Sequence, residues 1–135
     1  LKSAMTALSR IATTPEDIKR VCCLAHKLAQ CAERGDAALR NFEHVLGVAS
    51  ELAASSAGAW PAVSLQWFEA SAWNKGVVLF RATDFAGAEK WMGLALSFSK
   101  LRTDASPHDV ALMKGAYGKV LDAKSHSTRE CGLLR

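Results

Sequence analysis

The sequence has no alternating run of β-branched residues, no long apolar segment and no secretion signal. Its valine, isoleucine and threonine residues never alternate with polar ones as a half-buried strand requires, so we expect no β-sheet. No apolar run approaches the roughly 20 residues that cross a bilayer. The first residues also lack the basic start, apolar block and cleavage site of a signal peptide. We therefore predict a helical protein that works inside the cell, without a membrane partner.

Paired-cysteine motifs are also absent. The four cysteines are Cys22, Cys23, Cys31 and Cys131, and their spacing matches neither a Cys-x-x-Cys pair nor the framework of a small secreted domain. Cys23 and His26 lie three residues apart and could share one helix face. A structural zinc ion takes four ligands, however, and no second pair stands at a matching spacing. We expect reduced thiols in a helical core, and neither a metal nor another cofactor.

The motifs of known catalytic machinery are missing as well. The sequence has no Gly-x-Ser-x-Gly, no phosphate-binding glycine loop and no His-Glu-x-x-His. Its four histidines fall on separate predicted elements, and no pair of acids is framed by apolar neighbours. We predict that the protein is not an enzyme, has no catalytic residues and takes no small-molecule substrate.

The charge balance does not point to nucleic acid. Seventeen basic and thirteen acidic residues give a net charge of +4, and the basic residues are scattered along the chain. A nucleic-acid binder usually clusters Lys and Arg on one face or tail. The nearest cluster is Lys119, Lys124, His126, Arg129 and Arg135. We interpret it as a solvated end, and we do not predict direct binding to nucleic acid.

Apolar residues recur at three- and four-residue steps, which predicts six helices. Thr14 and Ser106 are predicted N-caps, each followed by a proline at the first helical position. Gly35 is the predicted C-terminal cap of the second helix, and Ser55–Ala59 a linker of small residues. The predicted helices cover residues 1–12, 15–34, 36–54, 61–81, 85–101 and 107–123. We expect residues 1–123 to form one helical unit and residues 124–135 a polar, frayed tail.

Residues 72–96 have the spacing of a tetratricopeptide hairpin. In such a repeat the first helix carries a Trp near its start and a Gly where the partner helix crosses closely, and small residues recur in the second helix. The predicted hairpin-packing residues are Gly76, Phe85, Ala88, Met92 and Ala95. We predict an all-α fold, in which antiparallel hairpins form the C-terminal part of a longer α-solenoid.

Aromatic residues concentrate between positions 60 and 91. Most of them should hold the hairpins together, because each Trp or Phe buries a large apolar area. One or two of those on the helix at 61–81 are predicted to line a groove, since Trp is enriched among residues that dominate binding energy. An Asn beside a Trp can orient a bound peptide by hydrogen bonds. The predicted partner-binding residues are Trp67, Trp73, Asn74 and Phe80.

These residues resemble a known family. The stretches that carry the resemblance are Gln66-Trp67-Phe68, Ala72-Trp73-Asn74-Lys75-Gly76-Val77, Phe80, Asp84-Phe85, Ala88-Glu89-Lys90-Trp91-Met92 and Ala95-Leu96-Ser97-Phe98. Together they are similar to the C-terminal part of the meiosis-specific tetratricopeptide scaffolds of the Zip-four and testis-expressed protein eleven type. The resemblance is strongest over residues 66–101.

The resemblance implies a non-enzymatic scaffold in the nucleus, on meiotic chromosomes. Members of this family promote crossover formation and couple it to assembly of the synaptonemal complex by holding protein partners. They carry an aromatic-Asn dipeptide that is implicated in docking a synaptonemal complex component. Trp73 and Asn74 stand in the matching place, so the resemblance implies that role for these two residues.

Two alternatives remain open at the level of sequence. One is a general tetratricopeptide module, such as a chaperone cofactor that clamps a carboxylate-ended peptide; it needs several converging Lys, Arg and Asn side chains. Asn74 would be one of them, but the degenerate repeats lack the others. The second alternative is a purely structural capping segment, with a polar exposed face and a fully buried Trp73. Exposure of Trp73 and Asn74 to solvent distinguishes these possibilities.

Overall fold

Six α-helices make up most of the protein. The computed structural model describes residues 1–32, 35–54 and 60–133. The helices are α1 (Lys2–Ile11), α2 (Pro15–Cys31), α3 (Gly35–Ala53), α4 (Ala62–Arg81), α5 (Phe85–Leu101) and α6 (Pro107–Leu133). No residue in the described ranges lies in a β-strand. The prediction of an all-α fold with about six helices is confirmed.

Local hydrogen bonds explain where the helices begin. The Thr14 hydroxyl accepts a hydrogen bond from the Asp17 backbone N–H at 3.2 Å, and the Asp17 carboxylate accepts one from the Thr14 N–H at 3.3 Å. This capping box, with Pro15 at the first helical position, confirms the predicted start of α2. Asp84 caps α5 with a single hydrogen bond, its carboxylate accepting from the Gly87 N–H at 3.0 Å.

The helix ends were predicted less well. The second helix ends at Cys31, because Ala32 is extended, and Gly35 begins α3 with φ of 76° rather than capping α2. The last helix continues ten residues past the predicted end at position 123, to Leu133. The prediction ended α6 where the apolar periodicity stops, but a helix can continue through polar residues when no proline intervenes. The predicted linker Ser55–Ala59 lies outside the described residues.

The closest helix pair is the hairpin of α4 and α5. A three-residue turn joins them, and Thr83 in that turn has φ of 64°. Gly76 lies against the second helix so closely that a Cβ atom there would be 3.2 Å from the Met92 nitrogen and 3.3 Å from the Ala88 carbonyl oxygen. Ala88, Met92 and Ala95 are all buried in this hairpin. Gly76 therefore lies where α4 contacts Ala88 and Met92, and Ala95 belongs to the main core.

The remaining helices stack beside this hairpin. Each packs on its neighbour in sequence within the pairs α1 and α2, α2 and α3, and α5 and α6, while α3 also packs on α1 and on α5. Aromatic rings join α3, α4 and α5, with ring centroids 5.3 Å apart for Phe42 and Phe68, 5.4 Å for Phe68 and Phe98, and 5.1 Å for Phe42 and Trp91. Contacts between next-but-one helices are consistent with a helical repeat-like arrangement.

Candidate functional site

The four predicted partner-binding residues lie on two different faces of α4. Trp67 and Asn74 are seven residues apart, about two helical turns, and both are exposed. Trp73 and Phe80 are also seven residues apart, but they lie on a face rotated by roughly a third of a turn. The structure therefore does not bring all four together on one surface.

Trp73 and Phe80 mainly contact their own hairpin and its neighbours. Trp73 is half-buried and packs against both the main core and a second buried cluster that joins α5 and α6 through Ala88, Met92 and Val120. The Phe80 ring lies 5.4 Å from the Phe85 ring at the turn between α4 and α5. These contacts hold α4 in place, although Trp73 is only half-buried and Phe80 is 36% exposed.

The other face of α4 is exposed and uncharged. We call the residues Val63, Trp67, Asn74 and Val78 the α4 face. Their exposed fractions include 78% for Val63, 63% for Val78 and 43% for Trp67. The intervening exposed positions, Gln66 and Ala70, also carry no charge. A solvent-facing helix surface usually carries charged side chains, so an uncharged surface about 22 Å long at 1.5 Å per residue is unusual.

Trp67 is held rigidly although part of it is exposed. Its ring centroid lies 4.9 Å from that of His26 on α2, 5.0 Å from that of Phe68 and 6.4 Å from that of Phe42 on α3. These contacts fix the inner side of the indole, and the outer side faces solvent. An aromatic side chain that is already ordered loses little conformational entropy when a partner covers it.

Asn74 is the polar member of the α4 face. It is exposed, and its carboxamide forms no hydrogen bond with any residue in the described part of the chain. One carbonyl acceptor and two N–H donors therefore point to solvent between two apolar stretches. Such a group can fix the orientation of a bound segment without first breaking an internal hydrogen bond.

A buried polar cluster lies beneath Trp67, between α2 and α4. The Ser64 hydroxyl is hydrogen-bonded to His26 Nε2 at 2.8 Å and accepts a hydrogen bond from Trp60 Nε1 at 3.0 Å. Burial lowers the pKa of the His26 imidazole and raises the pKa of the Cys22 thiol, which also faces Ser64. Ser64 is 6% exposed, and its hydrogen bond to His26 joins α4 to α2.

Basic residues of α2 and α4 lie in different surroundings, and Lys27 lines a groove with Leu8 and Leu24 on the α1 side of α2. Lys27 on α2 and Arg81 at the end of α4 are exposed, and neither pairs with a carboxylate within the described ranges. Lys75 lies 5.9 Å from the Phe42 ring centroid and 5.7 Å from that of Trp91, which is a cation–π arrangement. The sole acidic residue of α4, Glu69, is buried and paired with Arg102.

The suggested half of a zinc site is not assembled. The Cys23 side chain is exposed, whereas the His26 ring faces Ser64. Among residues 1–32, 35–54 and 60–129, no three His, Cys, Asp or Glu side chains come close enough to hold a metal ion. Within the described helices, none combines the length and apolar character needed to cross a membrane.

Sequence reasoning missed Val63 and Val78 as members of the exposed face. A signal was present, because positions 63, 67, 74 and 78 recur at helical spacing and none is charged. This spacing did not show which face of α4 is exposed, because the face with Trp73 and Phe80 is equally apolar. Only the packing of α5 and α6 shows which of the two faces is covered.

Comparison with known proteins adds no assignment. No protein-family model matches the chain, and no solved structure matches it. The resemblance to meiotic tetratricopeptide scaffolds therefore stays a prediction from the residues between positions 66 and 101.

Proposed function

We propose that this protein is a non-enzymatic scaffold that binds other proteins through the α4 face. The observation that carries the proposal is an exposed, uncharged helix surface four turns long that contains a partly exposed Trp. Exposed apolar residues grouped on one surface are typical of protein interaction sites. The stacking of helices supplies a rigid support for this surface.

The members of the α4 face have distinct roles in this proposal. Trp67 is the anchor, because its inner side is fixed by His26 and Phe42 while its outer side is free to be covered by a partner. Val63 and Val78 extend the apolar contact toward both ends of α4. Asn74 orients the partner by hydrogen bonds, and Trp73 supports the helix from behind by packing.

The finer assignment follows from the family resemblance. We propose that the chain is part of a tetratricopeptide-like α-solenoid that acts in the nucleus on meiotic chromosomes. Its partner would then be a synaptonemal complex component or a crossover-promoting factor. The stretch Trp73-Asn74-Lys75-Gly76 with its flanking aromatic residues supports this assignment. Within the matching dipeptide, Asn74 would contact the partner and Trp73 would act through packing.

The alternatives explain the α4 face less well. A chaperone-cofactor clamp needs several cationic and amide donors that converge on a carboxylate, and the α4 face offers Asn74 with Arg81 at its far end. A structural capping segment should have a polar outer surface. The exposure of Val63, Trp67 and Val78 favours a docking surface over both.

A pull-down experiment tests the proposal. Nuclear extract from meiotic cells is passed over the immobilised protein and over its Asn74→Ala and Val78→Glu variants, after circular dichroism shows that all are folded. Leu112→Glu is the matched control, because Leu112 is 61% exposed on α6, away from the α4 face.

We expect the parent and the Leu112→Glu variant to retain the same crossover or synaptonemal complex factor. The Val78→Glu variant should lose it, and Asn74→Ala should bind it more weakly by about 1 to 3 kcal/mol. Equal retention by all four proteins would rule out the α4 face as the docking surface. Retention of chaperones alone, with the same dependence on the α4 face, would contradict the meiotic assignment only.

A further inference from the structure

We infer that a cleft between α1 and α3 binds a phosphate monoester. The cleft has a volume of about 370 Å³ and is lined by Lys2, Ser3, Thr6, Ala7, Arg10 and His44. It shares no residue with the α4 face, so this inference does not rest on the proposed docking function. Three features carry it: the hydrogen-bond donors of the lining, the unpaired cations among them and the total charge that these cations supply.

The lining of the cleft is rich in hydrogen-bond donors. Apart from Ala7, every lining residue has a side chain with a polar N–H or O–H group or, for histidine, a ring nitrogen that can carry a proton. No carboxylate lines the cleft, and α1 as a whole contains no acidic residue. A cleft lined by charges of one sign raises the local concentration of ligands of the opposite sign. The lining therefore favours an anion.

The two cations of the cleft are unpaired. Lys2 and Arg10 are exposed, and neither forms an ion pair or a side-chain hydrogen bond with any residue in the described part of the chain. By contrast, Lys19 and Arg20 at the start of α2 are each paired with a carboxylate. An anion that enters the α1–α3 cleft therefore does not have to displace an internal carboxylate.

The spacing of the lining residues places the cations on either side of a polar pair. Lys2, Thr6 and Arg10 recur at four-residue steps, so they lie along one side of α1. Each cation is about 6 Å along the helix axis from Thr6, which its long, flexible side chain can span. Thr6 Oγ1 lies 3.1 Å from His44 Nε2, and this hydrogen bond joins the two walls of the cleft.

The Thr6–His44 pair leaves a donor for the anion in either neutral tautomer of the imidazole. If Nε2 carries the proton and donates to Thr6, the threonine O–H is free to donate. If Thr6 donates to Nε2, the remaining ring proton is on Nδ1, which has no partner among the described residues. The Ser3 hydroxyl is also without a hydrogen bond in the described ranges. Neutral donors thus accompany the two cations.

The total charge favours a phosphate monoester over other anions. A monoester carries about −1.5 to −2 charges at pH 7 and three terminal oxygens, which match the two cations and the planar guanidinium fork of Arg10. A carboxylate would offset only half of the positive charge. A nucleic-acid backbone has one charge per phosphate and is bound by a row of cations, whereas this cleft has Lys2 and Arg10.

A titration followed by nuclear magnetic resonance tests the inference. The isotopically labelled 135-residue protein is titrated with phenyl phosphate at constant ionic strength, with sodium chloride as the reference salt. We expect saturable shifts of the amide signals of Ser3, Thr6, Arg10 and His44 with phenyl phosphate and not with chloride. The absence of saturable shifts at these residues would overturn the inference.

Two double variants with the same loss of charge test the role of the cations. Lys2→Gln with Arg10→Gln should weaken binding of phenyl phosphate at least tenfold, with circular dichroism as the check of folding. Arg81→Gln with Lys114→Gln removes two exposed cations from α4 and α6, and should leave the dissociation constant within twofold. Equal losses in both double variants would show a diffuse attraction by net charge and would overturn the inference.

A third variant tests the neutral donors while every charge is kept. Ser3→Ala with Thr6→Val removes two hydroxyls of the cleft and should weaken binding of phenyl phosphate at least threefold. An unchanged affinity would place the phosphate outside the cleft and overturn the inference.

Further probes distinguish the sources of the phosphate group. Inorganic phosphate is compared with 12-residue random peptides that carry a central phosphoserine, before and after dephosphorylation. Tighter binding of phosphopeptides, lost on dephosphorylation, would support the inference with a protein side chain as the source. Equal affinity for inorganic phosphate would support it with a small phosphorylated molecule as the source. Tighter binding of a single-stranded oligonucleotide, with the same dependence on Lys2 and Arg10, would overturn it.

Discussion

Gly76 determines how closely α4 and α5 can approach. Replacing it with Ala would bring the new Cβ into contact with Met92 Cγ and near the backbone of Ala88 and Met92. Met92 is 3% exposed and has little room to move. We expect Gly76→Ala to lower the free energy of unfolding by about 1 to 3 kcal/mol, measured by urea denaturation.

Gly47 provides the matched control for this substitution. It also lies inside a helix, α3, but a Cβ there would meet no atom within 4 Å. Gly47→Ala should therefore raise the free energy of unfolding by up to about 1 kcal/mol, because alanine has the higher helix propensity. If Gly76→Ala were as stabilising as Gly47→Ala, the close contact between α4 and α5 would not exist.

His26 should make stability depend on pH. Burial lowers its pKa in the folded protein, whereas the unfolded chain has the ordinary value near 6.5. Between the two pKa values the unfolded state binds more protons, so stability is complete above about pH 6.5 and is lost as the pH falls below it. Thermal unfolding across this range should show a falling midpoint that His26→Gln flattens.

His108→Gln is the control for the pH experiment, because His108 is exposed on α6 and has no hydrogen bond to the described residues. This variant should keep the pH dependence of the parent. If His26→Gln kept it too, protonation of the partly buried His26 imidazole would not be the source of the pH dependence.

Single residues show where prediction from sequence succeeds and where it stops. The close contact at Gly76 could be predicted, because a Gly opposite small residues in the next helix indicates that the two helix backbones approach closely. The exposure of Trp67 and the partial burial of Trp73 could not be predicted. Both residues lie on apolar faces of α4, and only tertiary packing determines which of these faces is covered. The cluster around Ser64 depends on side chains 38 residues apart.

At the scale of elements, the Glu69–Arg102 ion pair joins the first half of α4 to the C-terminal end of α5. Both side chains are 11% exposed, and Arg102 also bonds Asp104 at 3.1 Å. Removal of the Glu69 carboxylate leaves the buried Arg102 guanidinium with only the exposed Asp104 as an ionic partner, so the cost of burying this charge is less well offset. We therefore expect Glu69→Gln to lower the free energy of unfolding by about 3 kcal/mol in urea denaturation.

A double variant tests whether the loss of stability comes from the charge that remains after its partner is removed. Replacing both partners, Glu69→Leu with Arg102→Met, should recover most of the stability, because no charge is left unpaired. Glu16→Gln breaks the exposed pair with Lys19 and should change stability by less than about 1 kcal/mol. Equal effects of Glu69→Gln and Glu16→Gln would contradict the account of a buried pair.

The final part of α6 should contribute little to stability. The buried contact of α6 is made by Val120, and the side chains of residues 125–129 are exposed. A chain that ends at Lys124 keeps the ion pair of Lys124 with Glu89. Its thermal midpoint should stay within about 2 °C of the parent, whereas a fall of 5 °C or more would reveal contacts that this account lacks.

Helix starts were easier to predict than helix ends for a physical reason. Starts at Pro15 and Phe85 depend on a capping side chain and its own backbone within four residues. The end of α6 depends on how far helical hydrogen bonds continue after the apolar pattern stops, and no local residue marks that point.

At the scale of the whole molecule, the stacked helices form a support for one exposed surface. The main core extends from Met5 on α1 to Phe98 on α5, and α6 covers the far side of the hairpin through Val120. This arrangement buries five of the ten Trp, Tyr and Phe residues and leaves the α4 face uncovered. The all-α class could be predicted from the spacing of apolar residues, whereas the choice of exposed surface depended on the stacking order.

The most direct test is the dissociation constant between this protein and the first factor that it retains from meiotic nuclear extract. It is measured by isothermal titration calorimetry for the parent, Val78→Glu and Leu112→Glu, with thermal unfolding of each as a check of folding. The account predicts that Val78→Glu weakens binding at least tenfold, about 1.4 kcal/mol, while Leu112→Glu leaves it unchanged. Equal affinities of all three proteins would contradict the claim that the α4 face is the docking surface.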